Sequence, residues 1–392
     1  MIAGIVCEYN PLHNGHLYHI DKTRQAGADA IVCVMSGNFV QRGECALTDK
    51  HKRAQAAVMC GADLVIDLFV PWAMASAESF ARGSISLLAS VGIDLLSFGS
   101  ETDDKNKLLL CAEASENEEA AQLIKKYVSE GISYPTALSQ AVSRLYGNEC
   151  ADILSYPNST LAVEYIKQLK KFLPACNILP VRRKSVDHDS DIISDGFASA
   201  SKIREIAEKQ DVTDLVPDFM CKILKEEKFS GGYHKLLNGE RAILSALRDM
   251  SKEELSLYVT DSRGLADRIY NCVKVSGSLE DLLAAVKTKG YTYARVKREV
   301  MNAYLRIPAE YCKRTPPYIR VLAANEKGMS LLKNAELPIV TKHSDAVFGD
   351  EFSSSVYKLQ CSSTDKYELM REKIGETGLE QRRSVVMVKN SI

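Results

Sequence analysis

The chain has 392 residues, 46% hydrophobic and 26% charged, enough to bury two or three ordinary cores, which excludes a small stapled scaffold. Fifty Lys and Arg stand against 51 Asp and Glu, a net charge of -1, so the overall balance gives no case for nucleic-acid or membrane binding; only a local asymmetry can restore one. The eleven cysteines are scattered singly, without a Cys-x-x-Cys pair or a zinc-like Cys/His spacing, the pattern of free thiols in a reducing cytosol.

The N-terminal MIAGIVCEYN has no basic leader, and the longest apolar stretch, DLVIDLFVPWAMASA, is broken by Asp67 and Pro71. No signal peptide or membrane-spanning helix is expected, and a cytoplasmic location is. Residues 2–7, 29–35, 63–68 and 93–98 are short, branched-rich apolar runs separated by lengths suited to helices, including 50–60 and 74–90. That alternation predicts an α/β fold with a parallel sheet covered on both faces and a ligand at its carboxyl edge. Helices are expected over 104–128, 134–146 and 158–171, a strand over 177–183 and a helix over 199–210, closing a first domain, 1–215.

The second region, 216–392, reads as mainly helical and basic. Residues 222–320 hold nineteen Lys and Arg against twelve Asp and Glu, and 287–320 hold nine against two, with tyrosines interleaved. Residues 318–343 suggest strand, helix, strand, a small α/β segment that either closes the chain separately or adds to the existing sheet. The last forty residues give little signal.

Chemistry concentrates after the first strand, in Glu8-Tyr9-Asn10-Pro11-Leu12-His13-Asn14-Gly15-His16-Leu17-Tyr18-His19. A helix starting near Asn14 aims amide groups and its positive dipole end at the space above it, Gly15 allows close backbone approach, and two imidazoles three residues apart can donate to phosphate oxygens. Such a turn stabilises charge on a pentacovalent α-phosphate and on departing pyrophosphate by positioning alone. A lone histidine here would more often merely decorate a helix; the whole string reverses that weighting. In the loop over 36–44, Gly37 and Gly43 suit close approach to a ligand, and Arg42, Lys50 and Arg53 are candidates for phosphate or an acidic substrate, against the alternative of surface salt bridges. Gly99 would let adenine or ribose lie against the backbone, Asn158 begins a helix, and Arg182 and Arg183 end a strand at the same edge. Ser199 or Ser201 makes a good helix cap.

The His13-x-Gly15-His16 turn resembles the HxGH signature of the nucleotidylyltransferase superfamily, and Ser199-Ala200-Ser201-Lys202-Ile203-Arg204 resembles its second, phosphate-holding element. The ordered set CEYNPLHNGHLYH, MSGNFVQRGE, FGSE, YPNSTLAVEYIK, VRR, SASKIR, YTYARVKRE and YIRVLA resembles the bacterial tRNA(Met) cytidine acetate ligase family along nearly the whole chain. The resemblance implies a Rossmann-like (HUP-type) catalytic domain, 1–215, and a tRNA-binding region, 216–392. It implies formation of acetyl-adenylate from acetate and ATP, and acetylation of N4 of the wobble cytidine of elongator tRNA(Met).

Carried over by motif, the ATP site comprises Ile5, Val6, Cys7, Glu8, Tyr9, Asn10, Pro11, Leu12, His13, Asn14, Gly15, His16, Leu17, Tyr18, Gly99, Asn158, Arg182, Arg183, Ser199 and Ser201. Catalysis is assigned to His13, His16 and Lys50, with Mg²⁺ accompanying ATP and no protein-bound metal. Ser159 replaces a second Asn of the family, and the segment around His188 departs from its Gly-rich run. For tRNA, Lys287, Lys289, Tyr291, Tyr293, Arg295, Lys297 and Arg298 supply phosphate contacts and stacking surfaces, with Tyr304 a further candidate for stacking and the stripe continuing to Arg320. The block from Asp261 to Arg268 matches the family without a chemical role. The rivals are a nucleotidylyltransferase acting on a small phosphorylated cofactor precursor, which would need far less chain, and a non-catalytic RNA-binding protein, which would not need both histidines.

Overall fold

The computed structural model describes residues 1–183, 196–260 and 264–389. Among the described residues ten strands form: β1 (Ile2–Cys7), β2 (Ala30–Ser36), β3 (Phe39–Val40), β4 (Glu44–Cys45), β5 (Leu64–Leu68), β6 (Leu95–Ser100), β7 (Asn177–Arg182), β8 (Ile319–Ala324), β9 (Ile339–Val340) and β10 (Val386–Met387). The main sheet runs β10-β8-β5-β2-β1-β6-β7, with β9 beside β8, while β3 and β4 make a separate hairpin. From β5 to β7 every pairing is parallel.

Side chains that alternate along a strand enter different cores. Val32 and Val34 pack with the helices Ala77–Val91 and Pro157–Phe172, whereas Ile31, Cys33 and Met35 pack on the opposite face with α1 (Asn14–Gln25) and α2 (Lys50–Met59). Both faces of β2 are therefore dry, as its unbroken apolar run requires.

The expected helix over 104–128 is two, Lys105–Glu116 and Glu118–Ser129. Asn117 divides them: its extended backbone ends the first, and its side-chain oxygen accepts the Glu119 and Ala120 amides at 2.9 and 3.3 Å to cap the second. The hydrophobic core of the mainly helical region combines the helices from Glu240 to Leu305 with Phe39 and Cys45 of the hairpin.

A boundary at 215 does not divide two independent units. β8 pairs antiparallel with β5, and β9 and β10 pair parallel with β8, so the residues from 319 onward complete the first domain's sheet. The contact is close: a Cβ on Gly328 would lie 1.9 Å from the Asp63 carbonyl oxygen. Among the described residues no helix is long and apolar enough to cross a membrane.

Candidate active site

At the carboxyl ends of β1, β6 and β7 lies a cleft of about 250 Å³. Its polar wall begins where β1 ends. Tyr9 has φ of 46°, a left-handed conformation rare outside glycine, and the Asn10–Pro11 peptide is cis. The turn delivers His13 to the N-cap of α1, where its Nδ1 accepts the Gly15 amide at 3.1 Å, and His16 Nδ1 accepts the His13 amide at 3.3 Å.

Those two bonds set the chemistry of the pair. With His16 Nδ1 accepting, the proton of its neutral ring sits on Nε2 and faces outward as a donor, while the accepting Nδ1 of His13 fixes that ring's orientation at the helix start. The rings stack at 3.7 Å, both line the cleft, and Tyr9 meets His16 edge-on at 4.9 Å. Burial, then the neighbouring His13, Arg183 and His19, pushes His16 well below its usual range, so it is neutral at pH 7. His19 also lines the cleft; burial and Arg183 lower it to about 4, and its Nε2 lies 2.8 Å from Ser97 Oγ.

Gly99, Asn158, Arg182, Arg183, Ser199 and Ser201 all reach this cleft. Asn158 Nδ2 donates to Glu101 Oε1 at 2.7 Å, and Ser159, in place of a second Asn, donates its hydroxyl to Glu101 Oε2 at 2.6 Å. Burial opposes ionisation of Glu101, but the Ser159 and Asn158 bonds prevail and hold its carboxyl below the usual range. Ser199 Oγ caps the helix Ala200–Ile206 by accepting the Lys202 amide at 3.1 Å.

Nine of the fourteen residues from Ile5 to Tyr18 line the cleft. Ile5, Pro11 and Leu12 are buried in the fold, Leu17 is outside the cleft lining, and Asn14 Nδ2 donates to the Gly196 and Asp214 carbonyls at 2.9 and 2.8 Å. Lys50 is not at the cleft, which contradicts the catalytic role expected for it: its ammonium is buried between Asp67 and Glu380, 2.6 Å from each. Arg53 is also withdrawn, fully buried and donating to the carbonyls of Glu8, Ser36, Gly37 and Thr48, where it ties the loops at the sheet edge together. His188 and residues 261–263 lie outside the described residues. Of the rest of that second block, Asp267 pairs with Lys252 at 2.9 Å and Arg268 donates to the Val286 carbonyl at 2.8 Å, both structural contacts.

Sequence reasoning overlooked Arg204 and the aromatic wall. Arg204 lines the cleft and donates to the Asn10 carbonyl at 2.7 Å; its place one turn after Ser201, on the same helix face, was the available signal. Phe80, Phe98 and Tyr165 form an apolar side, their rings 6.3 to 6.5 Å from one another in the order Phe80, Tyr165, Phe98. Among the described lining residues are four arginines, Arg42, Arg182, Arg183 and Arg204, and a single carboxylate, Glu8. The site therefore offers an aromatic and glycine-lined side beside a cationic side with imidazole donors, an arrangement that fits a nucleoside polyphosphate. Among the described residues no group of three or more His, Cys, Asp or Glu side chains is placed to hold a metal.

The basic stripe is split. Lys287 and Lys289 are exposed, and Tyr291, Tyr293 and Arg295 are half-exposed, with Arg295 stacked 5.3 Å from the Tyr291 ring. Lys297 instead pairs with Glu44, and Arg298 Nη1 donates to the Gln41 carbonyl at 3.4 Å. Arg320 is fully buried against Glu380, and Tyr304 is 3% exposed, so neither is available to RNA.

Residues 1–382 match the model of the family described as HIGH Nucleotidyl Transferase. The chain is 34% identical to the tRNA(Met) cytidine acetate ligase of Acetivibrio thermocellus over 93% of this chain and 94% of that protein. It is 37% identical to the protein of the same name from Thermoanaerobacter sp. (strain X514) over 97% and 98%. Among solved structures, apo TmcAL of Thermotoga maritima superposes with a TM-score of 0.91 at 30% identity, covering 99% of this chain and all of that one. The same protein bound with α-thio ATP gives 0.90 at 29% identity and equal coverage.

Proposed function

The chain belongs to the HIGH nucleotidyl transferase family and, within it, to the tRNA(Met) cytidine acetate ligases, and we propose that it forms acetyl-adenylate from acetate and ATP and transfers the acetyl group to N4 of the wobble cytidine of elongator tRNA(Met), giving N4-acetylcytidine. In the first step an acetate oxygen attacks the α-phosphorus, the bond to the bridging oxygen breaks, and pyrophosphate leaves with the electron pair. In the second, the cytidine amine attacks the acetyl carbon, AMP leaves, and the amine proton passes to solvent.

The observation that carries this reading is the stacked His13 and His16 pair at the N-terminus of α1, in a cationic cleft, with the His16 ring neutral. Fixed donors aimed at the α-phosphate strengthen as charge builds in the transition state and need no reorganisation. Arg182, Arg183, Arg204, Ser199 and Ser201 would hold the β- and γ-phosphates, with Gly99 and Asn158 on the nucleoside side. Mg²⁺ would arrive as the counter-ion of ATP. The exposed Lys287 and Lys289, with Tyr291, Tyr293 and Arg295, are the surface proposed for tRNA, and the cytoplasm is where that substrate is met.

The test is ATP–pyrophosphate exchange with and without acetate, in the absence of RNA. Exchange that requires acetate supports the reading. Exchange or adenylylation that ignores acetate but responds to a small phosphorylated acceptor would replace it with the cofactor-precursor alternative.

A further inference from the structure

The β3–β4 hairpin belongs to two parts of the molecule at once. Its strands place Phe39 and Cys45 in the core of the helical region, whereas Gln41 and Arg42, at its tip, line the nucleotide cleft. On the cleft side the Gln41 amide donates to Glu8 Oε1 at 2.9 Å.

On the other side the hairpin sits on the helix Tyr293–Leu305. Gly43 has φ of 74°, and a Cβ there would lie 2.8 Å from the Arg298 backbone nitrogen and 3.0 Å from the Lys297 carbonyl carbon. The loop thus rests directly on backbone, with no room for a side chain between. Lys297 pairs with Glu44, its side chain 16% exposed, and Arg298 donates to the Gln41 carbonyl at 3.4 Å. A lysine committed to a carboxylate and an arginine pointing at a loop carbonyl are poorly placed to neutralise a phosphate of RNA.

We infer that Lys297 and Arg298 are positioning residues for the nucleotide cleft: they hold the β3–β4 hairpin so that Arg42, at its tip, contacts the polyphosphate of bound ATP. The inference rests on the proposed nucleotide site and reassigns two residues from RNA binding to ATP binding. Arg42 is exposed at the cleft, on the same cationic side as Arg204, whose ionisation its charge opposes. A guanidinium there adds a charge-assisted contact to the anion, and the hairpin's seat fixes where that contact falls.

The experiment measures ATP affinity and tRNA(Met) affinity separately, each by direct binding to the full-length protein. Arg42→Ala is expected to weaken ATP about tenfold, the loss of one charge-assisted hydrogen bond. Arg298→Ala and Lys297→Met are expected to weaken ATP several-fold through the hairpin and to leave tRNA affinity within twofold. Gly43→Ala acts through the same seat without altering charge. The exchanged pair Glu44→Lys with Lys297→Glu is expected to recover ATP affinity relative to either single change, a rescue that general destabilisation would not produce. ATP affinity unchanged in Arg298→Ala and Lys297→Met, with tRNA affinity reduced, would overturn the inference and return both residues to RNA. Wild-type protein that binds ATP but shows no acetate-dependent exchange would sink the proposed reaction while leaving this ATP-affinity comparison readable.

Discussion

Lys50→Met distinguishes a structural from a catalytic lysine. The ammonium lies 2.6 Å from both Asp67 Oδ2 and Glu380 Oε2, its side chain 3% exposed, and Arg320 Nε lies 2.9 Å from Glu380 Oε1. At Asp67 burial prevails and raises the carboxyl; at Glu380 burial also opposes ionisation, yet Lys50 and Arg320 hold it at about 2. Removing the lysine strands the buried Asp67 carboxylate and leaves Glu380 with Arg320 alone, which costs about 3–5 kcal/mol. That is a large share of the roughly 5–15 kcal/mol that holds a domain folded, and at about 2–4 °C per kcal/mol it lowers Tm by about 10 °C.

The pH dependence carries its own sign. Glu380 is depressed on folding from 4.5 to about 2. Its stabilisation, about 3 kcal/mol, is complete above the unfolded value and is lost as pH falls from about 4.5 to about 2. In Lys50→Met the stranded Asp67 takes up a proton more readily folded than unfolded, so that variant gains stability from this group as pH falls from neutrality. Adding Asp67→Asn removes the stranded charge and recovers part of the loss, whereas Glu380 keeps Arg320 as its partner. Thermal unfolding by circular dichroism, with ATP affinity measured well below the transition, reads both effects. An unchanged Tm with lost ATP affinity would refute the structural assignment and return Lys50 to the phosphates.

His16→Ala is expected to abolish acetate-dependent pyrophosphate exchange and leave tRNA affinity within a few-fold; retained exchange would contradict the role of the stacked pair. Because His19 and His51 are lowered to about 4 by burial, their contribution to stability is complete above the ordinary histidine value near 6.5 and is lost between there and about 4. Histidine resonances followed by NMR check those two midpoints. Replacing Lys287 and Lys289 together by Glu is expected to weaken tRNA binding and to reduce its salt slope by about two or more, since each phosphate contact contributes nearly one; ATP affinity stays unchanged. Gly328→Ala, which drives a methyl into the Asp63 carbonyl, is expected to destabilise by about 3 kcal/mol or more, read as a lower unfolding midpoint.

Legibility followed where burial was apolar. β1, β2, β5 and β6 announced themselves because both faces of each are dry, and the turn after β1 because two histidines, a glycine and a proline stand together where a helix begins. β8 was recognised as a strand but not as a partner of β5, since a strand carries no mark of its distant neighbour. The helix Glu351–Glu368 gave no signal although it packs tightly, because half of its inward face is polar: Ser353, Gln360, Ser363, Thr364 and Glu368 are all buried. Its partners explain this. Gln360 Nε2 donates to Asp67 Oδ2 at 2.7 Å and Thr364 Oγ1 to Glu380 Oε2 at 3.2 Å, so the helix closes the polar network around Lys50 rather than an oily one.

Charge was the least transferable signal. Lys50, Arg53, Lys297, Arg298 and Arg320 all read as available cations, yet each is committed to a carboxylate or a carbonyl inside the molecule. Residue counts establish a local excess of positive charge; only packing decides which side chains face outward. Arg204, by contrast, stands in the same segment as Ser199 and Ser201 and does reach the cleft.

Nucleoside mass spectrometry of unmodified elongator tRNA(Met), after incubation with the protein, ATP, Mg²⁺ and acetate and with each component omitted in turn, tests the proposed reaction itself. The expected product is N4-acetylcytidine that disappears when either ATP or acetate is left out. Folded, ATP-binding protein that yields none with every component present would contradict it.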